Sequence, residues 1–338
     1  MIAVQPATLA DSREAILPAM AAAVRRLAPE VRPVVEHHLG WLDGNGHQVV
    51  GGGGGKTLRA TLALLSAEAV GASPVVALPG AVAVELVHNF SLLHDDVMDG
   101  DRERRHRPAA WARFGVGPAI CAGDALLALA HEVLVERPGD ERQRAALALA
   151  KATGAMIAGQ GQDLALERRR DTSVAQYLSM AAAKTGALLG CSASIGAVLA
   201  GAAPGSVTAL TRFGCRLGLA FQMIDDLLGV WGRPEVTGKP VGTDVKAGKA
   251  SLPIVVALRS SRPEAEELCR MLVEGVGDEA SVARATELIE SCGGRQVAED
   301  EAVRQLAGAL ESLDTIAVPD PVRARLVELA RFVCEREL

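Results

Sequence analysis

Aromatic side chains are nearly missing: five phenylalanines, three tryptophans and one tyrosine in 338 residues. Sheets lean on aromatic and β-branched residues, so this shortage favours helices packed closely through Ala, Leu, Val and Gly. Positive charge is short too. With 35 basic against 41 acidic residues the formal net charge is −6, which argues against nucleic-acid or anionic-membrane binding through a net basic face. Any cationic site must be local. The six cysteines (Cys121, Cys191, Cys215, Cys269, Cys292, Cys334) form no C-x-x-C pair and no zinc-type spacing with histidine, so they read as buried, reduced thiols. Asp11 and Glu14 precede any apolar run, so no secretory leader is expected. The most apolar stretch, Ala187 to Ala203, is rich in Gly, Ala and Ser and too short to span a membrane comfortably; it is expected to be a core helix. A soluble, cytoplasmic protein with no integral membrane segment follows.

Alternating strand patterns are lacking as well. What is present is helical periodicity over 11 to 40, interrupted by Pro18, Pro29 and Pro33, then a loop from Trp41 to Gly55. Further helices are expected at Leu58–Val70, Pro79–Asp99, Gly123–Val135, Glu141–Glu167, Val174–Leu199, Val207–Val230, Leu252–Leu258, Ala265–Val273, Ala280–Cys292, Glu299–Leu313 and Val322–Arg336. With no linker and no short repeat, residues 1–338 read as one all-α domain, a bundle of antiparallel helices.

Gly51 to Gly55 precede Lys56-Thr57 and invite comparison with a nucleotide-binding P-loop. The comparison fails, because Val50 stands where that motif needs Gly and no strand–helix framework surrounds it. A Gly loop ending in Lys56 can still wrap a phosphate.

The chemistry lies in two acidic segments. In Leu92-Leu93-His94-Asp95-Asp96-Val97-Met98-Asp99 an apolar helix runs into three carboxylates, and helical geometry puts Asp95 and Asp99 on one face about 6 Å apart. An isolated cluster of this kind is ordinarily a solvated helix end. The second occurrence, Phe221-Gln222-Met223-Ile224-Asp225-Asp226-Leu227-Leu228-Gly229, argues otherwise. Basic runs follow each one, Arg102 to Arg107 and Lys239 to Lys249. Magnesium uses one or two carboxylates and completes its shell with water and phosphate oxygens, while Arg and Lys take the remaining phosphate charge. Acid followed by base, twice, is the layout for holding a metal–diphosphate complex.

Together these segments closely resemble the trans-isoprenyl diphosphate synthase (polyprenyl synthetase) family. The resemblance runs from about Gly54 to Pro253 and rests on Gly55-Lys56-x-x-Arg59, Asp95-Asp96-Val97-Met98-Asp99 with Arg104-Arg105 and Pro108, Ala122 to Leu127, Gly159-Gln160-x-x-Asp163, Lys184-Thr185-Gly186, Phe221-Gln222-x-x-Asp225-Asp226 and Gly238-Lys239-Pro240. It implies helices around a central active-site cavity and condensation of isopentenyl diphosphate with an allylic diphosphate. Carried over residue by residue, it implies that Asp95 and Asp99 hold two magnesium ions and Asp225 a third. Arg104, Lys184, Lys239 and Lys249 would contact the allylic diphosphate. Lys56, Arg59, His88 and Arg105 would bind isopentenyl diphosphate. Lys184, Thr185 and Gln222 would stabilise the allylic cation, Asp124 would be structural, and the departing diphosphate would take the proton. Family members are commonly homodimers.

Phe90 and Ser91 precede Asp95 where the growing tail needs a floor, and no insertion separates the first aspartates. The pattern therefore leans toward geranylgeranyl rather than farnesyl length. Three positions depart from the family's usual pattern: Gly229 replaces the last Asp of the second motif, Thr57 a common Arg and Ala60 a common Pro. The competing readings are a class I terpene cyclase, which would not need Lys56, Arg59 and Arg105, and a non-catalytic regulatory subunit, to which only Gly229 points.

Overall fold

The structure, a computed structural model, describes residues 6–43, 47, 49, 57–167, 169–232 and 241–334. Those residues are almost entirely helical. In order they form α1 (Ala7–Val24), α2 (Arg32–His38), α3 (Leu58–Ala69), α4 (Leu78–Asp99), a hairpin of β1 (Glu103–Arg104) and β2 (Arg107–Pro108), α5 (Ala110–Phe114), α6 (Val116–Val135), α7 (Asp140–Leu166) and α8 (Val174–Ala181). A π-helical turn (Ala182–Gly186) leads into α9 (Ala187–Ser192), α10 (Ile195–Leu199) and α11 (Pro204–Trp231). The chain continues through α12 (Thr243–Ala247), α13 (Leu252–Leu258), α14 (Pro263–Glu274), α15 (Glu279–Ser291), α16 (Gly294–Asp314) and α17 (Asp320–Cys334).

α4 and α11 are the two long central helices. α4 lies along α6 and against α3, sharing a core that includes Leu86, Val87, Phe90, Leu93, Leu126 and Leu129. α11 lies along α16 and α9, and its Leu210, Phe213 and Leu217 join Leu326 and Leu329 of α17 and Leu9 of α1 in a second core. α1 and α17 thus both pack against the centre. The scarcity of aromatics has its counterpart in very close helix contacts: a Cβ on Gly214 of α11 would lie 2.8 Å from Gly190 Cα of α9. Only glycine permits that approach.

Three expectations are corrected. α6 starts at Val116 rather than Gly123, because its first turns bury Ala119 and Ala122 while Val116 and Ile120 point outward, and alanine gives a weak periodic signal. The single helix expected over Val174–Leu199 is broken by the π turn and again at Ser194, whose hydroxyl donates to Gly190 O at 2.9 Å and competes with the backbone ladder. Pro18 does not interrupt its helix, although Pro33 opens α2 in its first turn. By length and composition alone, Pro74–Asp99 and Val116–Val135 could cross a membrane; 61% and 44% of their apolar windows are buried inside the protein. The expected loop over 41–55 lies largely outside the described residues.

Candidate active site

α4 is buried along most of its length and stops where Gly100 adopts a left-handed φ of 70°. Successive helical residues point about 100° apart, so Asp95 and Asp96 face different surroundings. Asp96 is 1% exposed, and Arg104 clasps it through Nε at 2.7 and 2.9 Å and Nη2 at 2.5 Å. Asp95 is only partly covered. Burial pushes its pKa up to about 6; Lys184 and Arg104 pull it down, while Asp99 and Asp96 push it further up. Lys249 Nζ stands 3.5 Å from Asp99 Oδ2.

The β1–β2 hairpin turns through Arg105 and His106, both at positive φ (54° and 59°), as two-residue hairpins require. Neither is glycine, so the turn holds Arg105 in a conformation that costs on the order of 1 kcal/mol and is found at functional sites. Burial lowers the Arg105 pKa, as does Arg104, while Glu85 raises it. Arg59, in the first turn of α3, also has its pKa lowered by burial, offset by Glu85 and by Asp225 of α11. Its Nε is buried with no hydrogen-bond partner. His88 lies among Arg59, Arg105 and Arg104; burial first, then these cations, hold its pKa well below the usual histidine range. The result is a cluster of three guanidinium groups around a neutral imidazole, with Asp225 of the second aspartate segment acting on Arg59. Glu85, 8% exposed, accepts from Ala60 N at 3.0 Å and tethers α3 to α4. A cavity of about 210 Å³ lies behind the hairpin, lined by His37, His38, Arg104, Arg105 and Arg107 among others. Asp95, Asp99 and Asp225 do not line it.

The π turn carries Lys184 and Thr185. One extra residue in a helical turn redirects side chains, and π turns concentrate at functional sites for that reason. Lys184 Nζ donates to Asp163 Oδ2 of α7 at 2.5 Å. Thr185 Oγ1 donates to Gln222 Oε1 of α11 at 2.7 Å, and Gln222 Nε2 donates to Asp226 Oδ1 at 3.0 Å. Asp226 is buried and also accepts from Tyr177 OH and, at 2.7 Å, from Leu252 N. Burial pushes its pKa up to about 7, and the three donors hold it down. Each Asp-Asp pair therefore has an inward anchor, Asp96 or Asp226. The Gly159-Gln160-x-x-Asp163 motif gains a physical meaning here. A Cβ at Gly159 would lie 2.7 Å from Lys184 Cα, so the bare glycine lets α7 press on the π turn and Asp163 grip the lysine.

Beneath Asp95, Phe90 is 6% exposed between α4 and α6, edge-on to His94 with ring centroids 4.9 Å apart. His94 Nε2 is 3.1 Å from Ile120 O and 3.7 Å from Asp124 Oδ1, and its ring occupies the space where a side chain at Gly123 would begin. Ser91 Oγ donates to His88 O at 2.8 Å within its own helix.

Among the described residues no three His, Cys, Asp or Glu side chains converge to hold a metal by themselves. The donors that are present fit magnesium rather than a fully caged ion: a partly covered carboxylate whose burial calls for a cation, a second one turn on, and cationic groups beside them for phosphate oxygens.

Of the residues singled out from sequence, Asp95, Asp99, Lys184 and Lys249 form one interacting group, and Thr185 and Gln222 a bonded pair. Asp225 adjoins Arg59, and His88 and Arg105 belong to the same basic pocket. Arg104 lies there too, with its guanidinium committed to Asp96. Lys56 and Lys239 lie outside the described residues. The sequence reading did not single out Glu85, although it sits three residues before His88 on the same helix face. It also left out Tyr177, the chain's single tyrosine, whose burial no local pattern announces.

The family model described as "Polyprenyl synthetase" matches residues 41–289. A (2E,6E)-farnesyl diphosphate synthase of Mycobacterium tuberculosis is 44% identical over 330 residues, covering 96% of this chain and 92% of that one. A geranylgeranyl diphosphate synthase of the same organism is 42% identical over 323 residues, covering 95% and 91%. The crystal structure of a polyprenyl synthetase from Streptomyces coelicolor A3(2) superposes with a TM-score of 0.92 at 47% identity, covering 98% and 99%.

Proposed function

Because this chain belongs to the polyprenyl synthetase family, we propose that it condenses isopentenyl diphosphate head-to-tail with an allylic diphosphate in a magnesium-dependent reaction, yielding a farnesyl- to geranylgeranyl-length diphosphate and leaning to the longer. The observation that carries this reading is the continuity of two charged regions. Lys184 beside Asp95 and Thr185 bonded to Gln222 link the first aspartate segment to the second, and Arg59 joins the second to the pocket of His88 and Arg105.

Asp95, Asp99 and Asp225 would hold magnesium, in three ions on the family pattern; when bound, the metal neutralises diphosphate oxygens and stabilises the leaving charge. Lys184 and Lys249, with Lys239 and Arg104, orient the allylic diphosphate. Arg59, His88 and Arg105, with Lys56, fix the diphosphate of isopentenyl diphosphate. In the pocket His88 stays neutral, so it donates a hydrogen bond without adding charge. The allylic carbon–oxygen bond breaks and its electron pair leaves with the diphosphate. The isopentenyl double bond then attacks the allylic carbon, and the adjacent proton passes to the released diphosphate. Thr185 has its proton committed to Gln222, so its oxygen lone pairs remain to face the cation. Apolar walls on α4 and α6 exclude the water that would quench it.

Purified protein incubated with magnesium, isopentenyl diphosphate and dimethylallyl, geranyl or farnesyl diphosphate tests the reading. Elongated diphosphates support it, and conversion of farnesyl diphosphate supports the longer product. Cyclised hydrocarbons or no turnover would refute it in favour of a cyclase or a regulatory subunit, readings that the second cationic pocket and the relatives' names both disfavour.

We also assign residues 1–338 to a single catalytic domain of a cytoplasmic homodimer. Exposed Val116, Ile120 and Val135 on α6 and Leu147 and Ile157 on α7 offer an apolar face for a second copy. Sedimentation at micromolar concentration tests the dimer.

A further inference from the structure

Lys184 is gripped by Asp163 on α7, a helix of 27 residues. Lys249 has a slighter support, because it follows α12, a helix of only 5 residues. Gly248 closes that helix at a left-handed φ of 65°, its N–H donating to Val245 O at 3.2 Å and that of Lys249 to Asp244 O at 3.0 Å. This cap sets the direction in which Lys249 leaves the helix, with its Nζ 3.5 Å from Asp99 Oδ2. Arg170, from the connection between α7 and α8, lies against the cap: a Cβ on Gly248 would stand 3.5 Å from Arg170 Nη2. The same guanidinium donates through Nη1 to Glu167 O at 3.2 Å, at the capping residue of α7, and through Nη2 to Leu272 O at 3.5 Å, in the last turn of α14. Carbonyls at helix ends have no intrahelical donor and carry partial negative charge, so a cation between two of them is favoured. Among the described residues these backbone carbonyls, not carboxylates, are what Arg170 bonds, and its Nε is buried without a partner.

We infer that Arg170 is a positioning residue for the allylic diphosphate: it ties the ends of α7 and α14 together against the Gly248 cap and so fixes where Lys249 stands relative to Lys184. This rests on the synthase reading above. α7 is the common reference for both lysines, since Asp163 lies one turn before Glu167. Only a planar fork serves both carbonyls at once; an ammonium group is a single point charge. Arg170 thus acts through Lys249, and its removal can cost no more than the removal of Lys249 itself.

The test is calorimetric titration of geranyl diphosphate into the full-length protein with magnesium and without isopentenyl diphosphate, so that nothing condenses. Isopentenyl diphosphate is titrated separately. The proteins are the wild type, Arg170→Gln, Arg170→Lys, Lys249→Gln and Arg170→Gln/Lys249→Gln, with melting curves to establish that each is folded. Lys249→Gln removes a charge-assisted hydrogen bond and should weaken geranyl diphosphate by between about 10- and 100-fold. Arg170→Gln should weaken it by about 10-fold and Arg170→Lys by less, while the double variant should bind like Lys249→Gln within about twofold. Binding of isopentenyl diphosphate should stay within about twofold throughout, because Arg59, His88 and Arg105 stand on α3, α4 and the hairpin. The inference is overturned if Arg170→Gln binds geranyl diphosphate like the wild type, if the two losses multiply in the double variant, or if both ligands weaken alike, as a merely structural role would require. Should Arg170→Gln not fold, Arg170→Lys decides, and wild-type affinity in that variant overturns the inference. A wild type that binds no geranyl diphosphate with magnesium overturns both this inference and the synthase reading, whereas wild-type binding with an indifferent Arg170→Gln overturns this one alone.

Discussion

Gly159→Ala is the substitution that most directly tests how the π turn serves the site. The added Cβ would lie 2.7 Å from Lys184 Cα and 2.8 Å from the carbonyl carbon of Ala183, both backbone atoms with no rotamer to yield. Carbon atoms prefer separations of about 3.5 Å or more, so α7 and the π turn must part by about 1 Å. That shift moves Lys184 and Thr185 together, lengthening the 2.7 Å bond from Thr185 to Gln222 and changing the distance from Lys184 to Asp95. A misplacement of about 1 Å at a reacting centre costs about 100-fold in rate, equivalent to about 2.7 kcal/mol of barrier. Arg59, His88 and Arg105 stand on α3, α4 and the hairpin, away from the displaced turn, so binding of isopentenyl diphosphate should change little. Steady-state kinetics with geranyl diphosphate as primer should therefore show kcat down about 100-fold with KM for isopentenyl diphosphate within about threefold. A folded Gly159→Ala protein with wild-type kcat would refute the claim that the turn's position matters.

Phe90→Ala removes the ring between α4 and α6 and should lengthen the product by at least one isoprene unit; chromatography showing unchanged chain length with activity intact eliminates Phe90 as the stop. Tyr177→Phe strips one donor from the buried Asp226 carboxylate and should cost about 1–3 kcal/mol of stability in urea unfolding, and an unchanged midpoint would mean that the hydroxyl holds nothing. His38 is 9% exposed, with its pKa lowered to about 3 by burial first and then by Arg105 and Arg104. Its folded pKa lies below the unfolded 6.5, so its contribution is present above pH 6.5 and lost as pH falls toward 3. Between pH 7 and pH 5 the wild type should lose about 2 kcal/mol that His38→Gln does not lose; parallel losses in the two proteins would contradict the buried, neutral imidazole.

The helices were legible because their apolar residues recur at helical spacing and Gly or Pro marks their ends, as in α11, expected at Val207–Val230 and found at Pro204–Trp231. The aspartate pairs were legible as chemistry but not as geometry. Sequence cannot say which member of Asp95-Asp96 or Asp225-Asp226 turns inward, since that depends on the phase of the helix against its neighbours. The π turn escaped notice because one inserted residue shifts the pattern without breaking it. Asp244 read as one acid in a basic run, and its approach to Gly229 across fifteen positions is a property of chain folding alone.

The line from Phe90 through His94 to Asp124 runs from the protein's interior to its surface, where the Asp124 side chain is 65% exposed on α6. The ring expected from the sequence to floor the tail channel is thus braced by a group that the surroundings can touch. Whatever covered this stretch of α6 would bear, through His94, on the Phe90 ring. Were Phe90 to stop the growing tail, product size would answer to that covering surface as well as to the chain.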